Sequence, residues 1–109
     1  MAYREPNASE QRLLAVLGRR SSKVLADEWM DGLLVEDMAD GGMNSIRLKL
    51  RGQTQTETFG GEIAVCQFKD IDDTDVIATL YADEEGVPFE LDVWKVDFSP
   101  LKQVPERLE

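Results

Sequence analysis

The first third of the chain carries apolar residues at helical spacing. The apolar positions are Leu13, Leu14 and Leu17, and the preceding Glu10, Gln11 and Arg12 are left for solvent. Asn7, followed by Glu10 three residues later, has the spacing of an N-terminal capping box. Gly18, which two arginines follow, is typical of a helix end. The pattern therefore predicts one short amphipathic helix that begins near Ala8.

The next segment, Ser21–Met30, has a weaker pattern. Val24, Leu25 and Trp29 suit one face of a helix, while Asp31-Gly32 would stop it. A second short helix is the prediction for this segment. We expect Trp29 to be mainly a core residue.

From Leu33 onward, short segments with strand character alternate with turn residues. Leu33–Met38 and Met43–Leu50 flank Asp40-Gly41-Gly42, whose glycines suit the positive φ angles of a hairpin turn. Within the second segment Ile46, Leu48 and Leu50 alternate with basic residues. The pattern predicts a hairpin with one solvent-exposed face, followed by the polar connection Gly52–Gly61.

Three further strands are predicted after that connection. They are Glu62–Phe68, Val76–Ala82 and Pro88–Phe98, separated by the acidic turns Asp70–Asp75 and Asp83–Gly86. The predicted fold class is α+β: an N-terminal helix or helices followed by a largely antiparallel five-stranded meander. The length of 109 residues favours a single domain over residues 1–109.

The last strand is apolar on both sides. Phe89, Leu91 and Val93 alternate with Glu90, Asp92 and Trp94, and Val96 and Phe98 continue the side of Trp94. Either a central position in the sheet or a bulge near Val93 explains this pattern. The tail beyond Pro100 keeps three apolar residues for docking: Leu101, Val104 and Leu108.

Composition excludes several chemistries. The chain has no histidine, which removes Ser-His-Asp and Cys-His catalysis, histidine-ligated zinc and histidine pH switches. Cys66 is the only cysteine, so we expect a buried small hydrophobe in a reducing compartment. With neither a secretory signal pattern nor an apolar run of about 20 residues, the expectation is a cytoplasmic protein outside the membrane.

Negative charge is concentrated in the second half of the chain. The formal net charge is -10, and residues 61–109 carry thirteen acidic and four basic residues. Such a charge repels nucleic acids and anionic membranes, so neither is an expected partner. A basic protein is the partner that electrostatics favours.

The acidic turn invites a calcium hypothesis, which its spacing opposes. If Asp70 were the first position of an EF-hand loop, position six would be Asp75 instead of glycine and position twelve would be Tyr81 instead of glutamate. We therefore expect a solvated turn with no metal site, and no other motif indicates a cofactor.

The last strand offers two further candidate features. Glu90 and Asp92 share a strand face, roughly 6.5 to 7 Å apart at their Cα atoms, and with Asp97 they are candidates for acid–base chemistry. That spacing is common in exposed strands. Trp94 is a candidate binding anchor, although core tryptophan is more common.

Two stretches carry a resemblance to known proteins: residues 40–45, DGGMNS, and residues 89–101, FELDVWKVDFSPL. Together they resemble a family of small, uncharacterised bacterial proteins that are single domains beginning with an amphipathic helix. The resemblance implies no activity and no catalytic residue. Some small acidic bacterial domains are similar to immunity proteins that neutralise toxins, an analogy at the level of class.

Two main functional hypotheses follow. The first is a non-catalytic acidic protein-binding domain, in one form an immunity-type inhibitor of a basic toxin. Its predicted binding residues are Asp72, Asp73, Glu84, Glu85, Glu90, Asp92 and Trp94, and Asp70 and Asp83 are expected to add to its steering field. The alternative is a small-molecule-binding or carboxylate-dependent enzyme with a cleft near Glu90, Asp92 and Asp97, between sheet and helices. Homodimerisation through a strand edge is a third possibility.

Overall fold

The computed structural model describes residues 3–39, 42–52 and 59–108. The described elements are α1 (Ala8–Arg20), β1 (Leu34–Asp37), β2 (Ile46–Lys49), β3 (Phe59–Lys69), β4 (Asp75–Asp83) and β5 (Pro88–Lys95). One helix followed by a five-stranded antiparallel sheet confirms the α+β class.

The helix α1 begins where the capping box predicts. The Asn7 side chain accepts a hydrogen bond from the Glu10 backbone N–H, and the Glu10 carboxylate accepts one from the Asn7 N–H, each 2.9 Å long. The same carboxylate pairs with the guanidinium of Arg4, which also reaches Asp37 at the end of β1. The start of α1 is therefore tied to the edge of the sheet. The helix buries Leu13, Leu14, Val16 and Leu17.

The second helix predicted over Ser21–Met30 does not form. Ser21 ends α1 in an extended conformation, and the N–H of Ser22 donates to the carbonyl of Ile63 on β3. This hydrogen bond directs the chain toward the edge of the sheet instead of into a second helix. Residues 27–32 then form turns, and Val24 is fully exposed. Trp29 is nevertheless structural, as predicted: it packs on the core and against Gly18, where a Cβ would lie 2.8 Å from the indole nitrogen.

The sheet has the order β1-β2-β5-β4-β3, with every neighbouring pair antiparallel. Thus the β1–β2 hairpin joins the β3–β4–β5 meander through β5, and β1 and β3 form the two edges of the sheet. Gly42 has the positive φ angle expected of the hairpin turn, at 87°. Asp40, Gly41 and residues 53–58 of the predicted connection lie outside the described residues.

The strand β5 is central, which explains its two partly apolar faces. It pairs with β2 on one side and β4 on the other, and it continues through Val93 without a shift in register. The strand ends at Lys95, three residues earlier than predicted, because the chain turns there and Phe98 adopts a left-handed φ of 63°.

The hydrophobic core lies on one side of the sheet. It is covered by α1 and by the tail, whose residues Leu101, Val104 and Leu108 are buried as predicted. We call the other side of the sheet the open face. Its central residues are Arg47 on β2, Glu90, Asp92 and Trp94 on β5, and Ile77, Thr79 and Tyr81 on β4.

In the part of the chain described above, no helix combines the length and the apolar character needed to cross a membrane.

Candidate functional site

The acidic residues predicted to bind a partner lie in three separate places. Asp72 and Asp73 occupy the turn between β3 and β4, while Glu84 and Glu85 occupy the turn between β4 and β5. These turns stand at opposite ends of β4, which spans about 27 Å at the usual rise per residue. The two pairs therefore do not form one acidic surface. Glu90, with its neighbour Asp92, lies on the open face between them.

The centre of the open face is rich in carboxylates. Glu90 lies opposite Tyr81 on β4 and opposite Arg47 on β2. Burial raises the pKa of the Glu90 carboxyl, and the adjacent Asp92 raises it further. Burial also raises the pKa of Tyr81, with added contributions from Asp92 and Glu62. This part of the surface would therefore stabilise a positive charge placed on it.

An exposed apolar patch lies next to these carboxylates. The rings of Trp94 and Phe98 stand 6.0 Å apart between centroids and are tilted by 55°. Trp94 is 43% exposed and Phe98 is 69% exposed, and Ile71 and Val96 are also exposed. Ile71 belongs to the β3–β4 turn, which lies at the same end of the sheet as the end of β5, and we call these four residues the Trp94 patch. The left-handed turn at Phe98 accompanies this placement of its ring beside Trp94, although β5 has already ended.

Carboxylates border the Trp94 patch along the chain. They are Asp72, Asp73, Asp75 and Asp97. Asp97 accepts hydrogen bonds from the N–H and hydroxyl of Ser99, and these bonds lower the pKa of its carboxyl. Asp75 pairs with Lys69. Within the described part of the chain, Asp73 and Asp97 form no ion pair, so their charge is available to a partner.

Beneath this turn lies a buried ionic cluster that the sequence reasoning missed. The ammonium of Lys95 is fully buried and donates to Asp70 at 2.8 Å, to Asp72 at 2.7 Å and to the carbonyl of Pro100 at 3.3 Å. Asp70 also accepts three backbone hydrogen bonds, from Ile71, Lys102 and Gln103. We call Lys95, Asp70 and Asp72 the Lys95 cluster. It fastens the β3–β4 turn and the tail to the end of β5.

The Lys95 cluster remains charged over a wide pH range. Burial alone would raise the pKa of Asp70, but the hydrogen bonds from Lys95 and the tail N–H groups lower it to about 2. Burial alone would lower the pKa of Lys95, and its two carboxylate partners raise it above the ordinary lysine value. Both groups are therefore ionised at neutral pH.

Two acids expected to face solvent are buried instead. Asp70, expected in a solvated turn, is 3% exposed because it neutralises Lys95. Asp83 is buried because its carboxylate accepts the N–H groups of Glu85 and Val87 and thereby closes the β4–β5 turn. Neither residue can act as part of the expected steering field.

The structure does not bring the three carboxylates of the enzymatic alternative together. Glu90 and Asp92 lie on the open face, away from the side that α1 covers. Asp97 lies in the turn after β5. In the residues that the structure describes, no group of three His, Cys, Asp or Glu side chains is placed to hold a metal ion. Cys66 is buried in the core, as predicted.

A signal for the Lys95 cluster was present in the sequence. Strand alternation places Lys95 on the same side as Leu91 and Val93, which face the core. A lysine directed into a core requires anionic partners. The acidic turn Asp70–Asp75 therefore offered candidate partners for Lys95.

Comparison with known proteins gives one match. A family model described as a domain of unknown function, DUF6984, covers residues 3–105. This match confirms the expectation of an uncharacterised domain family. No curated protein and no solved structure matches the chain.

Proposed function

The chain belongs to the DUF6984 family of domains of unknown function, and we propose that it is a non-catalytic module that binds a basic protein through the open face. The observation that carries this proposal is the exposed aromatic pair of Trp94 and Phe98 beside Asp73 and Asp97, which form no ion pair with any residue that the structure describes.

The Trp94 patch has the properties of a binding anchor. Tryptophan is enriched among the residues that contribute most to binding, because a large ring buries much apolar area at a small entropic cost. Trp94 stands on the central strand β5 opposite Ile77 of β4, so pairing with β4 holds its backbone in place. Covering the exposed part of this ring contributes about 25 cal/mol for each Å² of apolar surface that is removed from water.

The surrounding charge selects the partner. Asp73 and Asp97 lie beside the patch, and Glu90 with Asp92 lies farther along the same strand face. A partner with lysine or arginine around an apolar contact would match this arrangement. Glu84 and Glu85, at the other end of the sheet, contribute a long-range field that accelerates encounter. A module that covers a basic catalytic surface in this way would act as an immunity-type inhibitor, which is the specific role we propose.

The strand edges are less suited to pairing than the open face. The N–H and carbonyl of Val35 on β1 pair with Arg4, and the carbonyl of Ile63 on β3 accepts the N–H of Ser22. These contacts occupy part of each outer edge, which opposes edge-to-edge association. We therefore expect a monomer in the absence of the partner, as measured by size-exclusion chromatography with light scattering. A concentration-independent dimer would contradict this expectation.

Affinity capture from the native cell, with the purified chain as bait, tests the proposal. We expect wild-type bait to retain a basic protein at low salt. Trp94→Ala should reduce the captured amount at least about tenfold, as for a binding hot spot. Val24→Ala, at a fully exposed apolar residue outside the open face, is the matched control and should capture as much as wild type.

A second pair of variants separates local charge from general acidity. Asp73→Asn with Asp97→Asn removes two carboxylates beside the Trp94 patch, and Glu84→Gln with Glu85→Gln removes two at the opposite end of the sheet. The first pair should weaken capture more than the second, although both change the net charge equally. Equal effects, or capture that persists in Trp94→Ala, would contradict the proposal.

One observation favours a second candidate, a carboxylate-dependent activity at Glu90. The pKa of its carboxyl is raised by burial and by the hydrogen bond with Asp92, which is a feature of acid–base pairs. Asp92→Asn would reduce such an activity, because Asp92 is the second cause of the raised pKa of Glu90, after burial. In the binding proposal the same substitution would reduce partner capture only modestly, because the aromatic anchor remains.

A further inference from the structure

A groove of about 390 Å³ runs between α1 and the end of the tail, away from the open face. Its lining residues are Arg12, Ala15, Val16, Arg19, Glu106, Arg107 and Leu108. The volume lies within the range of small-molecule sites in proteins. The groove thus combines an apolar floor with guanidinium groups at its rim.

The charge of the groove is opposite to that of the protein. Three guanidinium groups face one carboxylate there, while the whole chain has a net charge of -10. In the described part of the chain, Arg12 and Arg107 form no ion pair. Two arginines that no carboxylate neutralises, in so acidic a protein, provide a local site for an anion.

Arg12 is held in place by both walls of the groove. One of its terminal nitrogens donates to the hydroxyl of Ser9 on α1 at 3.3 Å and to the carbonyl of Val104 in the tail at 3.0 Å. Its Nε is buried and, in the described part of the chain, has no hydrogen-bond partner. The guanidinium is therefore pre-positioned at the groove, where its charge would attract an oxyanion.

We propose that this groove binds a small amphipathic organic anion. The oxyanion, a carboxylate or a phosphate group, pairs with Arg12 and Arg107, because planar guanidinium groups match both geometries. The apolar part of the ligand packs on Ala15, Val16 and Leu108. This site is independent of the Trp94 patch, because α1 and the tail cover the other side of the sheet.

Titration of the full chain with four probes tests the proposal. The titrations are carried out at low ionic strength and monitored by NMR chemical shifts and calorimetry. Phenyl phosphate and benzoate combine an oxyanion with an apolar ring, whereas inorganic phosphate and benzyl alcohol each offer one of the two. At least one of the first two should bind and shift the amide signals of Ala15, Val16 and Leu108. The tighter of the two identifies the preferred oxyanion. Inorganic phosphate and benzyl alcohol should bind at least about tenfold more weakly, because each loses one set of contacts.

Substitution of the tail arginine assigns the site. Arg107→Gln should weaken binding of the preferred probe about tenfold, since one charge-assisted pair is lost. Arg51→Gln, at an exposed arginine beyond β2, makes the same change in net charge outside the groove and should leave the affinity within about twofold. The proposal is overturned if neither amphipathic probe binds, if Arg107→Gln and Arg51→Gln have equal effects, or if the shifted amides lie elsewhere.

Discussion

At the scale of single residues, Lys95 has the largest structural consequence. Its ammonium holds the β3–β4 turn through Asp70 and Asp72 and the tail through Pro100. Removing one member of a buried ion pair is strongly destabilising, because the remaining charge is left without compensation. Alternation along β5 could have predicted the inward direction of Lys95, but which acid meets it depends on how the turn and tail fold together.

Replacement of the buried lysine should therefore unfold the protein at lower temperature. Lys95→Met leaves Asp70 buried without its cation, and we expect the melting temperature to fall by roughly 10 °C or more. Lys102→Met is the matched control, because this lysine is exposed and only approaches Asp72 at 4.0 Å. Its melting temperature should change by no more than a few degrees. Circular dichroism measures the melting temperatures. Similar decreases of the melting temperature in both variants would contradict the role of the Lys95 cluster.

The same cluster predicts a dependence of stability on pH. Asp70 has a pKa of about 2 in the folded protein, below its ordinary value of 3.8. Between these two values the unfolded chain binds more protons than the folded one, so the free energy of unfolding falls as the pH decreases. The contribution of Asp70 is complete above the ordinary pKa and is lost as the pH falls through about 2.

Urea unfolding of wild type and Asp70→Asn across this acidic range measures that contribution. Wild type should be more stable at neutral pH, and the difference between the two proteins should shrink as the pH falls from about 4 to about 2. Asp73→Asn, in the same turn but exposed and outside the Lys95 cluster, is the matched control, and its stability at neutral pH should stay close to that of wild type. A constant difference between wild type and Asp70→Asn would exclude linkage through this carboxyl.

At the scale of elements, local sequence signals predicted α1 and the five strands. They did not predict the conformation of the segment that follows α1. The capping box of Asn7 and Glu10 is a local motif, so the sequence alone placed the start of the helix. Ser21–Met30 has a helical pattern of apolar residues, but its conformation is decided by contacts distant in sequence. Ser22 binds the edge of β3, and Trp29 packs on Gly18 and the core.

Removal of the cap should destabilise the protein by an amount typical of capping residues. We expect Asn7→Ala to lower the free energy of unfolding by about 1 kcal/mol, because the N–H of Glu10 loses its acceptor. Asn7→Ser keeps an oxygen at the same position and should retain most of the wild-type stability. Chemical unfolding measures both variants, and equal losses would show that the side-chain oxygen of Asn7 has no stabilising role.

At the scale of the whole molecule, the sequence revealed how much negative charge the protein carries but not where it lies. Two of the expected steering acids are buried, and the remaining ones divide between the two ends of the sheet and its open face. The order of the strands, which determines these positions, depends on the pairing of β5 with β2 across a long stretch of chain. Strand alternation places Phe98 on the side of Trp94, but the contact between the two rings accompanies the turn after β5, which alternation does not predict.

The most direct test of the proposed function is site-specific photo-crosslinking in the native cell. Phe98→p-benzoylphenylalanine places the crosslinker in the Trp94 patch, and Val24→p-benzoylphenylalanine places it at a more exposed position in the loop after α1. Our account predicts that ultraviolet light joins position 98 to a basic protein and that the adduct is lost when Asp73 and Asp97 are replaced by asparagine. The absence of an adduct at position 98, or an equal yield of the same adduct from position 24, would contradict recognition through the open face.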